Sequence, residues 1–272
     1  MTDPKIMLVT GATDGIGRQV ALELVRQGHR LLLHGRSRER GEQALDELKQ
    51  DSGNTDLSLY LADYASLEQV REMADAIIQD HPRLDVLINN AGSFFHEYLP
   101  AGDGIEMTML VNHFAPLLLT LRLLPLLKAS APSHIIIVAS SAHMAIKEVD
   151  FSNLISREDY DGVRSYSISK LANIMATYDL AEELEGSGVT VNCLHPGTID
   201  TKLMRDSFKL EGASVEQGAQ IPVYLATSPE VAGISGKYFS RMQERPSSPL
   251  SYEPAARKHI RDISEKAIAA FL

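Results

Sequence analysis

The chain alternates short, almost wholly apolar runs with longer segments in which apolar residues recur at helical spacing. Seven runs are predicted to be strands, at residues 5–10, 30–34, 57–61, 84–88, 134–139, 189–194 and 237–240. Helices are predicted at about 15–28, 38–51, 66–80, 104–129, 166–186, 216–227 and 253–271. Strands that are apolar on both sides are typical of a parallel sheet covered by helices on both faces. The pattern therefore predicts an α/β, doubly wound Rossmann fold, with about seven parallel strands in a single domain over residues 1–272.

Two stretches, residues 142–163 and 198–215, have neither a clean helical period nor a strand period. Each follows a predicted strand, and ligands of open parallel sheets bind beyond the carboxyl ends of the strands. We therefore expect both stretches to be loops that contact a substrate.

The composition excludes several classes of partner and site. The 26 basic residues are outnumbered by 36 acidic ones, and a formal net charge of −10 disfavours binding to nucleic acid or to an anionic membrane. The single cysteine, Cys193, can form neither an intramolecular disulfide nor a thiolate metal cluster. We therefore expect no metal site and a reducing, cytoplasmic location. The leucine-rich stretch at 117–127 is interrupted by Arg122 and Pro125, so we expect no membrane partner.

A glycine-rich turn, Gly11-Ala12-Thr13-Asp14-Gly15-Ile16-Gly17, lies between the first predicted strand and the first predicted helix. Gly11 permits the tight turn, Gly15 lets the backbone approach a pyrophosphate, and Gly17 lets the helix pack close to the strand. Unpaired amides at the start of the helix would then face the phosphates. The turn predicts a dinucleotide site, although its Gly-x-x-x-Gly-x-Gly spacing differs from the more common Gly-x-Gly-x-x-Gly.

Three further motifs accompany this turn. Asn89-Asn90-Ala91-Gly92 follows the fourth predicted strand, Tyr166-Ser167-Ile168-Ser169-Lys170 begins the fifth predicted helix, and Pro196-Gly197 follows the sixth strand. Together with Thr10 and the glycine turn, they resemble the motifs of the short-chain dehydrogenase/reductase superfamily, in the same order from residue 10 to about 201. The resemblance implies an NAD(P)-dependent oxidoreductase that interconverts a carbonyl and an alcohol by hydride transfer.

The resemblance also implies which residues hold the cofactor. Within the glycine turn they are Gly11, Thr13, Asp14, Gly15, Ile16 and Gly17. The adenine and its ribose are expected to contact Asp63, the adjacent Tyr64, Asn90, Ala91 and Gly92. The nicotinamide face is expected to be shaped by Pro196 and Gly197, with the carboxamide or the phosphates hydrogen-bonded by Thr198 or Thr201.

The end of the second strand, His34-Gly35-Arg36, favours NADP(H) over NAD(H). In NAD-dependent dinucleotide folds an acidic residue near this point binds the 2′-hydroxyl of the ribose, whereas a nearby arginine accommodates a 2′-phosphate. Gly35 takes the place of the acid, and Arg36 offers a planar fork to a phosphate. Asp14 in the glycine turn counts against a phosphate nearby, so NAD(H) remains possible.

Tyr166 and Lys170 are four residues apart and therefore lie on one face of a helix. A nearby ammonium favours the phenolate, which predicts that Tyr166 donates a proton in reduction and accepts one in oxidation. By the resemblance, Lys170 also holds the nicotinamide ribose. Ser141 orients the substrate carbonyl, with Ser140 structural, and Asn112 bends its helix and anchors a water. The expected catalytic tetrad is Asn112, Ser141, Tyr166 and Lys170.

The spacing of 25 residues from Ser141 to Tyr166 resembles the retinol dehydrogenase-like and WW-domain oxidoreductase-like branch of the family. So do the motifs His195-Pro196-Gly197-Thr198 and Ser169-Lys170-Leu171-Ala172-Asn173. A small-molecule carbonyl or alcohol of open identity is the expected partner. The family also implies a homodimer or homotetramer, formed through the helices at about 104–129 and 166–186.

Two alternative functions stay open. One is a non-catalytic dinucleotide-binding regulatory protein, although such a protein has no use for Ser, Tyr and Lys together. The other is a sugar-nucleotide epimerase or dehydratase, which usually carries a Gly-x-x-Gly-x-x-Gly turn and a larger carboxyl-terminal domain.

Overall fold

A computed structural model describes residues 4–101, 105–148, 160–208 and 211–272. Eight strands form one sheet: β1 Ile6–Val9, β2 Arg30–Gly35, β3 Leu57–Leu61, β4 Val86–Asn89, β7 Ser133–Val138, β8 Val189–His195, β9 Lys237–Ser240 and β10 Gln243–Arg245. Their order is β3-β2-β1-β4-β7-β8-β9-β10, and β10 alone pairs antiparallel. A separate two-stranded hairpin consists of β5 Pro100–Ala101 and β6 Ile105–Glu106. The predicted single-domain, doubly wound fold with seven parallel strands is confirmed, with one antiparallel strand added at its edge.

The helices fill the intervals between these strands. They are α1 Gly15–Arg26, α2 Arg38–Ser52, α3 Leu67–Asp80, α4 Met107–Met109, α5 Ala115–Ala129, α6 Gly162–Glu183, α7 Lys202–Phe208, α8 Val215–Thr227 and α9 Pro254–Ile268. A π-helical turn, Leu110–Phe114, joins α4 to α5 without a break. Short 3₁₀ turns occur at Ser141–Ala145, Pro229–Val231, Pro249–Tyr252 and Ala269–Phe271.

The two predicted substrate loops contain more helix than the sequence pattern indicates. Helix α6 begins at Gly162, because the carboxylate of Asp161 accepts hydrogen bonds from the amides of Val163 and Arg164. Helix α7 lies inside the predicted loop 198–215, and the hydroxyl of Thr201 accepts a hydrogen bond from the amide of Met204 at its start. Residues 149–159 and 209–210 of the two predicted loops lie outside the described residues.

Both faces of the sheet are buried against helices. Ile6 and Leu8 of β1 belong to an apolar cluster with α3, α5, α6 and α9, whereas Met7 and Val9 belong to a cluster with α1, α2 and α8. Successive side chains of a strand point to opposite faces, so the continuous apolar runs in the sequence are the signature of this two-sided burial.

Among the described residues, one helical run, Met107–Ala129, is long and apolar enough to cross a membrane by length and composition. Its most apolar stretch has a mean hydropathy of 1.5, and 72% of that stretch is buried inside the protein. Core helices of soluble folds have the same properties, so the run is explained by its position against the sheet.

Helix α9 packs along α6 and fixes the carboxyl-terminal segment to the body of the protein. Arg257 of α9 is mostly buried and bonds the carboxylate of Asp179 through Nε at 2.7 Å and that of Glu182 through both terminal nitrogens at 2.8 Å. A two-pronged contact of this kind is geometrically specific. The outer face of α6 is therefore covered by the chain's own last helix.

Candidate functional site

The glycine turn has the conformation that the glycine spacing predicts. Gly11 and Gly15 have positive φ angles of 64° and 54°, a region that side chains other than glycine rarely adopt. A Cβ atom on Gly17 would lie 2.3 Å from the carbonyl oxygen of Gly11 and 2.4 Å from Nδ2 of Asn90. Asp14 caps α1, since its Oδ1 accepts a hydrogen bond from the amide of Gly15 at 2.7 Å. The close packing of turn and helix therefore requires a glycine at position 17.

The Asn-Asn-Ala-Gly segment lies directly beside this turn. The hydroxyl of Thr10 accepts hydrogen bonds from the amides of Asn90 at 2.9 Å and Ala91 at 3.0 Å. In return, Nδ2 of Asn90 donates to the carbonyl oxygens of Thr10 at 2.8 Å and Gly11 at 3.3 Å. Thr10 thus joins two predicted cofactor motifs, although the sequence analysis gave it no role. Its place at the start of the Thr-Gly-x-x-x-Gly motif is the signal that was available.

The end of β2 supplies a free cation beside the turn. A Cβ on Gly35 would lie 2.5 Å from Cγ2 of Thr13, so the place of the missing acidic residue is filled by the threonine methyl group. Arg38 pairs with Glu42, and Arg40 pairs with Asp14 at 3.0 Å. Arg36 is exposed, and within the described part of the chain it makes no hydrogen bond or ion pair.

The charge of Asp14 is thus balanced by Arg40, while Arg36 is available for a ligand. Asp14 therefore repels a 2′-phosphate less than an unpaired carboxylate would, because an ion pair presents little net charge to its surroundings.

A buried histidine supports the turn from below. Nδ1 of His34 accepts a hydrogen bond from the amide of Gly11 at 3.3 Å, and Nε2 donates to the carbonyl oxygen of Ala62 at 3.1 Å. Burial lowers the pKa of His34 to about 4, so the ring is neutral. A neutral imidazole can accept a hydrogen bond at one nitrogen and donate one at the other. Tyr64 stacks on this ring at 4.6 Å and is only 4% exposed. The side chain of Tyr64 is therefore buried against His34, and its predicted contact with the adenine stays a prediction.

Asp63 is half-buried, and its Oδ1 accepts a hydrogen bond from the amide of Ala65 at 3.0 Å. This contact shapes the turn after β3 at the sheet edge where the other predicted cofactor residues gather. Asp63 thus has a structural role in this turn, and its contact with an adenine stays a prediction.

The segment after β8 closes the site from the opposite side. Gly197 has a φ of 104°, which turns the chain sharply after Pro196. Thr201 lies over the glycine turn, since a Cβ on Gly15 would be 3.4 Å from its methyl group. Thr198 is exposed, and its carbonyl oxygen accepts a hydrogen bond from the amide of Ala213 at 2.8 Å. Ile16 packs toward α8, within 3.1 Å of a Cβ placed on Gly218.

Tyr166 and Lys170 lie together at the carboxyl end of β7. Nζ of Lys170 donates to the carbonyl oxygen of Val138 at 3.0 Å and lies 5.5 Å from the centre of the Tyr166 ring. Lys170 is 4% exposed, and this burial lowers its pKa to about 8. Burial also raises the pKa of Tyr166 to about 12, against a smaller opposite effect from a hydrogen bond with the Ser140 hydroxyl. The direction of this shift is set by desolvation and is opposite to the lowering of the tyrosine pKa that we expected from the lysine.

The structure places Ser140, and not Ser141, against the tyrosine. The Ser140 hydroxyl is hydrogen-bonded to Tyr166 and also accepts from the amide of Ala142 at 3.2 Å. Ser141 is exposed and begins the following 3₁₀ turn. The backbone is extended at Ser140, and adjacent side chains of an extended chain point in opposite directions, while the catalytic role of Ser141 stays a prediction.

A second buried histidine, His143, holds this serine in place. Its Nδ1 donates to the carbonyl oxygen of Ser140 at 2.6 Å, and its Nε2 accepts from the amide of Ser248 at 3.1 Å. His143 has no exposed surface. It therefore connects the serine turn to the carboxyl-terminal segment, rather than contacting a substrate.

Asn112 lies in the π-helical turn and is 1% exposed. Its side chain accepts from the amide of Ser93 at 2.7 Å and donates to the Ser93 carbonyl at 2.9 Å and the Ser169 hydroxyl at 3.1 Å. A Cβ on the intervening Gly92 would be 3.3 Å from Asn112 Oδ1 and 3.4 Å from Lys170 Nζ. Asn112 therefore ties the Asn-Asn-Ala-Gly segment to the helix that carries the tyrosine and the lysine.

The buried carboxylate of Glu106 joins the same two helices further from the sheet. It accepts hydrogen bonds from the hydroxyl of Ser165 at 2.7 Å and from the amides of Thr108 at 2.8 Å and Met109 at 3.0 Å. Ser165 immediately precedes the tyrosine in α6. An acidic residue that can cap a helix just before an apolar run is the sequence signal for this role.

No three His, Cys, Asp or Glu side chains of the described residues come together in a way that could hold a metal ion.

Comparisons with known proteins show which family the chain resembles. The sequence model described as short chain dehydrogenase matches residues 5–212. Human retinol dehydrogenase 14 is 41% identical over 288 residues, covering 96% of this chain and 85% of the relative. Human retinol dehydrogenase 13 is 41% identical, covering 90% and 78%. The Pseudomonas aeruginosa RhlG/NADP active-site complex superposes with a TM-score of 0.70 at 27% identity, covering 86% of this chain and 93% of that one.

We expect Gly17→Ala to abolish dinucleotide binding, because the added methyl group collides with the backbone of Gly11 and the amide of Asn90. Titration of the variant with NADPH, followed by cofactor fluorescence, checks this. Gly28→Ala is the control: its φ is positive, at 86°, which that of Gly17 is not, but its added methyl group meets no neighbouring atom. The control should lose about 1 kcal/mol of stability and keep its affinity. Full NADPH affinity in Gly17→Ala would contradict the assignment of the turn.

We expect the stability of the cofactor-free protein to report the burial of Lys170. Its pKa is about 8 when folded against 10.5 when unfolded, so the penalty for burying the ammonium is fully present below pH 8. Between about pH 8 and 10.5 the folded protein loses the Lys170 proton while the unfolded chain keeps it. The free energy of unfolding of the wild type therefore rises with pH over this range. Relative to wild type, Lys170→Met should lose about 3 kcal/mol of stability over that window, at about 1.4 kcal/mol per tenfold change in proton affinity.

Urea unfolding of both proteins at a series of pH values measures this difference. Lys128→Met, at an exposed position, controls for a generic change from lysine to methionine. A difference between Lys170→Met and wild type that is constant with pH would show that Lys170 is not desolvated.

Proposed function

Because the chain belongs to the short chain dehydrogenase family, in its retinol dehydrogenase-like branch, we propose that it is an NADP(H)-dependent oxidoreductase that interconverts a carbonyl and an alcohol. The protein is an oxidoreductase acting on CH–OH or C=O groups with NAD(P). NADP(H) as the cofactor and the assignment of the catalytic residues are the finer parts of the proposal.

The observation that carries the proposal is the contact between Ser140 and Tyr166 above the buried Lys170. These groups lie at the same edge of the sheet as the glycine turn, which is where a dinucleotide and its substrate would meet. A phenol, a hydroxyl and an ammonium in that position can hold a carbonyl oxygen and exchange a proton with it.

The residues of the turn fit a dinucleotide. The amides at the start of α1 and the left-handed glycines can receive a pyrophosphate, and Arg36 can receive a 2′-phosphate. The bound nicotinamide would supply a hydride to a carbonyl carbon or accept one from an alcohol. Asn90, Ala91 and Gly92 are proposed to line the adenosine ribose, Asp63 and the backbone of Tyr64 the adenine, and Pro196, Gly197, Thr198 and Thr201 the nicotinamide and phosphate side.

In carbonyl reduction, Tyr166 donates its phenolic proton to the oxygen of the substrate while the carbon is reduced. Its pKa, raised by burial, keeps the phenol protonated near neutral pH, which is the form that reduction requires. Ser140 donates a hydrogen bond that stabilises the charge developing on the same oxygen. Lys170 holds the nicotinamide ribose and counters the negative charge left on Tyr166, and Asn112 fixes the geometry between the two helices.

The relatives named as retinol dehydrogenases make retinal and retinol the first compounds to test for this chain. Segments 142–163 and 198–215 are proposed as the substrate-contacting regions. A cytoplasmic location without a membrane partner also stays a proposal, as does a homodimer or homotetramer. Self-association through α5 and α6 would have to displace α9, which covers α6.

We expect Tyr166→Phe to abolish turnover and Ser140→Ala to lower kcat by about 100-fold, because each removes a group bonded to the reacting oxygen. Loss of NADPH absorbance with a panel of aldehydes, ketones and quinones that includes retinal measures both. Ser141→Ala is the matched control and should remain within about twofold of wild type, since its side chain is exposed. The reverse order of the two serine variants would return the role to Ser141. A wild type no faster than Tyr166→Phe on every compound would favour the non-catalytic regulator.

We expect Arg36→Asp to weaken NADPH binding by about 10–100-fold and to strengthen NADH binding, because a phosphate loses its cation and a ribose hydroxyl gains an acceptor. Arg38→Asp makes the same charge change two residues away, at a side chain already paired with Glu42. It should change either affinity by no more than about threefold, as a screened surface charge does. Unchanged cofactor preference in Arg36→Asp would refute the assignment to NADP(H).

A further inference from the structure

His113 is a buried histidine next to Asn112, and the proposed mechanism gives it no role. It is 1% exposed, and both of its ring nitrogens are hydrogen-bonded. Nδ1 lies 2.9 Å from Oδ1 of Asn173, and Nε2 lies 2.8 Å from the hydroxyl of Ser264. Nδ2 of Asn173 in turn donates to the main-chain carbonyl oxygen of Asn112 at 2.9 Å. A chain of hydrogen bonds therefore runs from α9 to the backbone of Asn112.

The partners fix the direction of the hydrogen bonds that run from Asn112 through Asn173 to His113. The carbonyl of Asn112 can only accept, so the amide nitrogen of Asn173 must face it and the amide oxygen must face His113. Nδ1 of His113 therefore carries the hydrogen. Burial lowers the pKa of His113 to about 4, so the ring is neutral at physiological pH and its Nε2 is an acceptor. Nε2 can then accept from the hydroxyl of Ser264, whose single hydrogen also lies within reach of the carbonyl oxygen of Ile260 at 2.7 Å.

The main-chain carbonyl of Asn112, where this series of hydrogen bonds ends, lies in an irregular part of the helix. It belongs to the π-helical turn, where the hydrogen bonds of the α-helix are interrupted and a carbonyl can be left without its usual partner. A buried carbonyl needs a partner, and Asn173 supplies it. Asn173 is three residues after Lys170 in α6, so one face of that helix holds both the lysine and the backbone of Asn112.

We propose that His113 and Asn173 are positioning residues that hold the main chain of Asn112 against α6, the helix that carries Lys170, and that Ser264 connects α9 to them. The hydrogen on Nδ1 of the neutral His113 ring binds the amide oxygen of Asn173. This bond orients the Asn173 side chain so that its amide nitrogen faces the carbonyl of Asn112. The proposal rests on the proposed function only for its effect on turnover. The network itself is a property of the folded chain.

Two substitutions at position 113 separate this role from simple packing. The amide nitrogen of an asparagine takes the place of Nδ1 as a donor, whereas the longer glutamine brings its amide to the place of Nε2, where its oxygen can accept. His113→Asn therefore keeps the bond to Asn173 and loses the one to Ser264, and His113→Gln does the reverse. We expect His113→Gln and Asn173→Leu to lower kcat by about tenfold, with KM for NADPH within about twofold, as the loss of one buried hydrogen bond would do.

His113→Asn should retain at least about half of the wild-type kcat, although it leaves the larger cavity. Packing alone predicts the opposite order, because the smaller side chain would do more damage. Equal kcat values for the two His113 variants, at equal folded fractions by circular dichroism, would overturn the proposal.

A measurement on the unmodified protein tests the network without any turnover. Nitrogen-15 shifts of the imidazole distinguish a ring with its hydrogen on Nδ1 from one with its hydrogen on Nε2, and the signal of His113 is assigned by its loss in His113→Asn. We expect the Nδ1–H form at neutral pH. The Nε2–H form would overturn the proposal even if the enzyme is active. Nδ1–H in a protein that turns over nothing would uphold the network while the proposed function fails.

Discussion

The parallel pairing of β1 with β4 is the constraint on which the rest of the site depends. The two strands are far apart in sequence, and their pairing places the glycine turn and the Asn-Asn-Ala-Gly segment side by side at one edge of the sheet. At this point the order of strands reverses, so helices leave toward opposite faces and a crevice remains between them. The bonds between Thr10 and Asn90 then lock the two segments together, and the carboxyl ends of β7 and β8 bring the serine and the Pro-Gly turn to the same edge.

Three neutral histidines each link two segments of the chain around this crevice. His34 links the glycine turn to the end of β3, His143 links the serine turn to the segment before α9, and His113 links the asparagine helix to α9 itself. In each, burial lowers the pKa, so the ring holds one hydrogen and can donate at one nitrogen while accepting at the other. A lysine or an arginine in these positions could only donate. The chain thus uses histidine as a two-ended connector between segments distant in sequence, and not as a titrating group.

Much of the fold could be predicted because it follows from local pattern. The apolar runs gave all seven parallel strands to within about two residues, and the glycine spacing indicated a turn whose φ angles require glycine at positions 11 and 15. The strand β10 was missed because Gln243–Arg245 is polar and exposed on an edge, where no periodicity marks it. Helix α7 was missed because its start depends on one hydroxyl, that of Thr201.

The candidate site was less predictable where the answer depends on direction or on distant partners. Two adjacent serines differ only in which way each side chain points, and the end of an extended strand decides it, so position 140 rather than 141 faces the tyrosine. The pKa of Tyr166 depends on how deeply it is buried, which helix spacing does not reveal. The partners of His113 come from positions 60 and 151 residues away along the chain.

The bonds of the carboxyl-terminal segment make two parts of the site unequally sensitive to loss of that segment. Ser264 of α9 bonds the ring of His113, and Ser248, which precedes α9, bonds the ring of His143. A protease that cut the chain before residue 248 and released the fragment would leave each ring without one of its two partners. The bonds between Thr10 and Asn90 involve no residue of that segment. Nicking at the carboxyl-terminal side is thus expected to loosen the serine turn and the asparagine helix while the glycine turn keeps its shape.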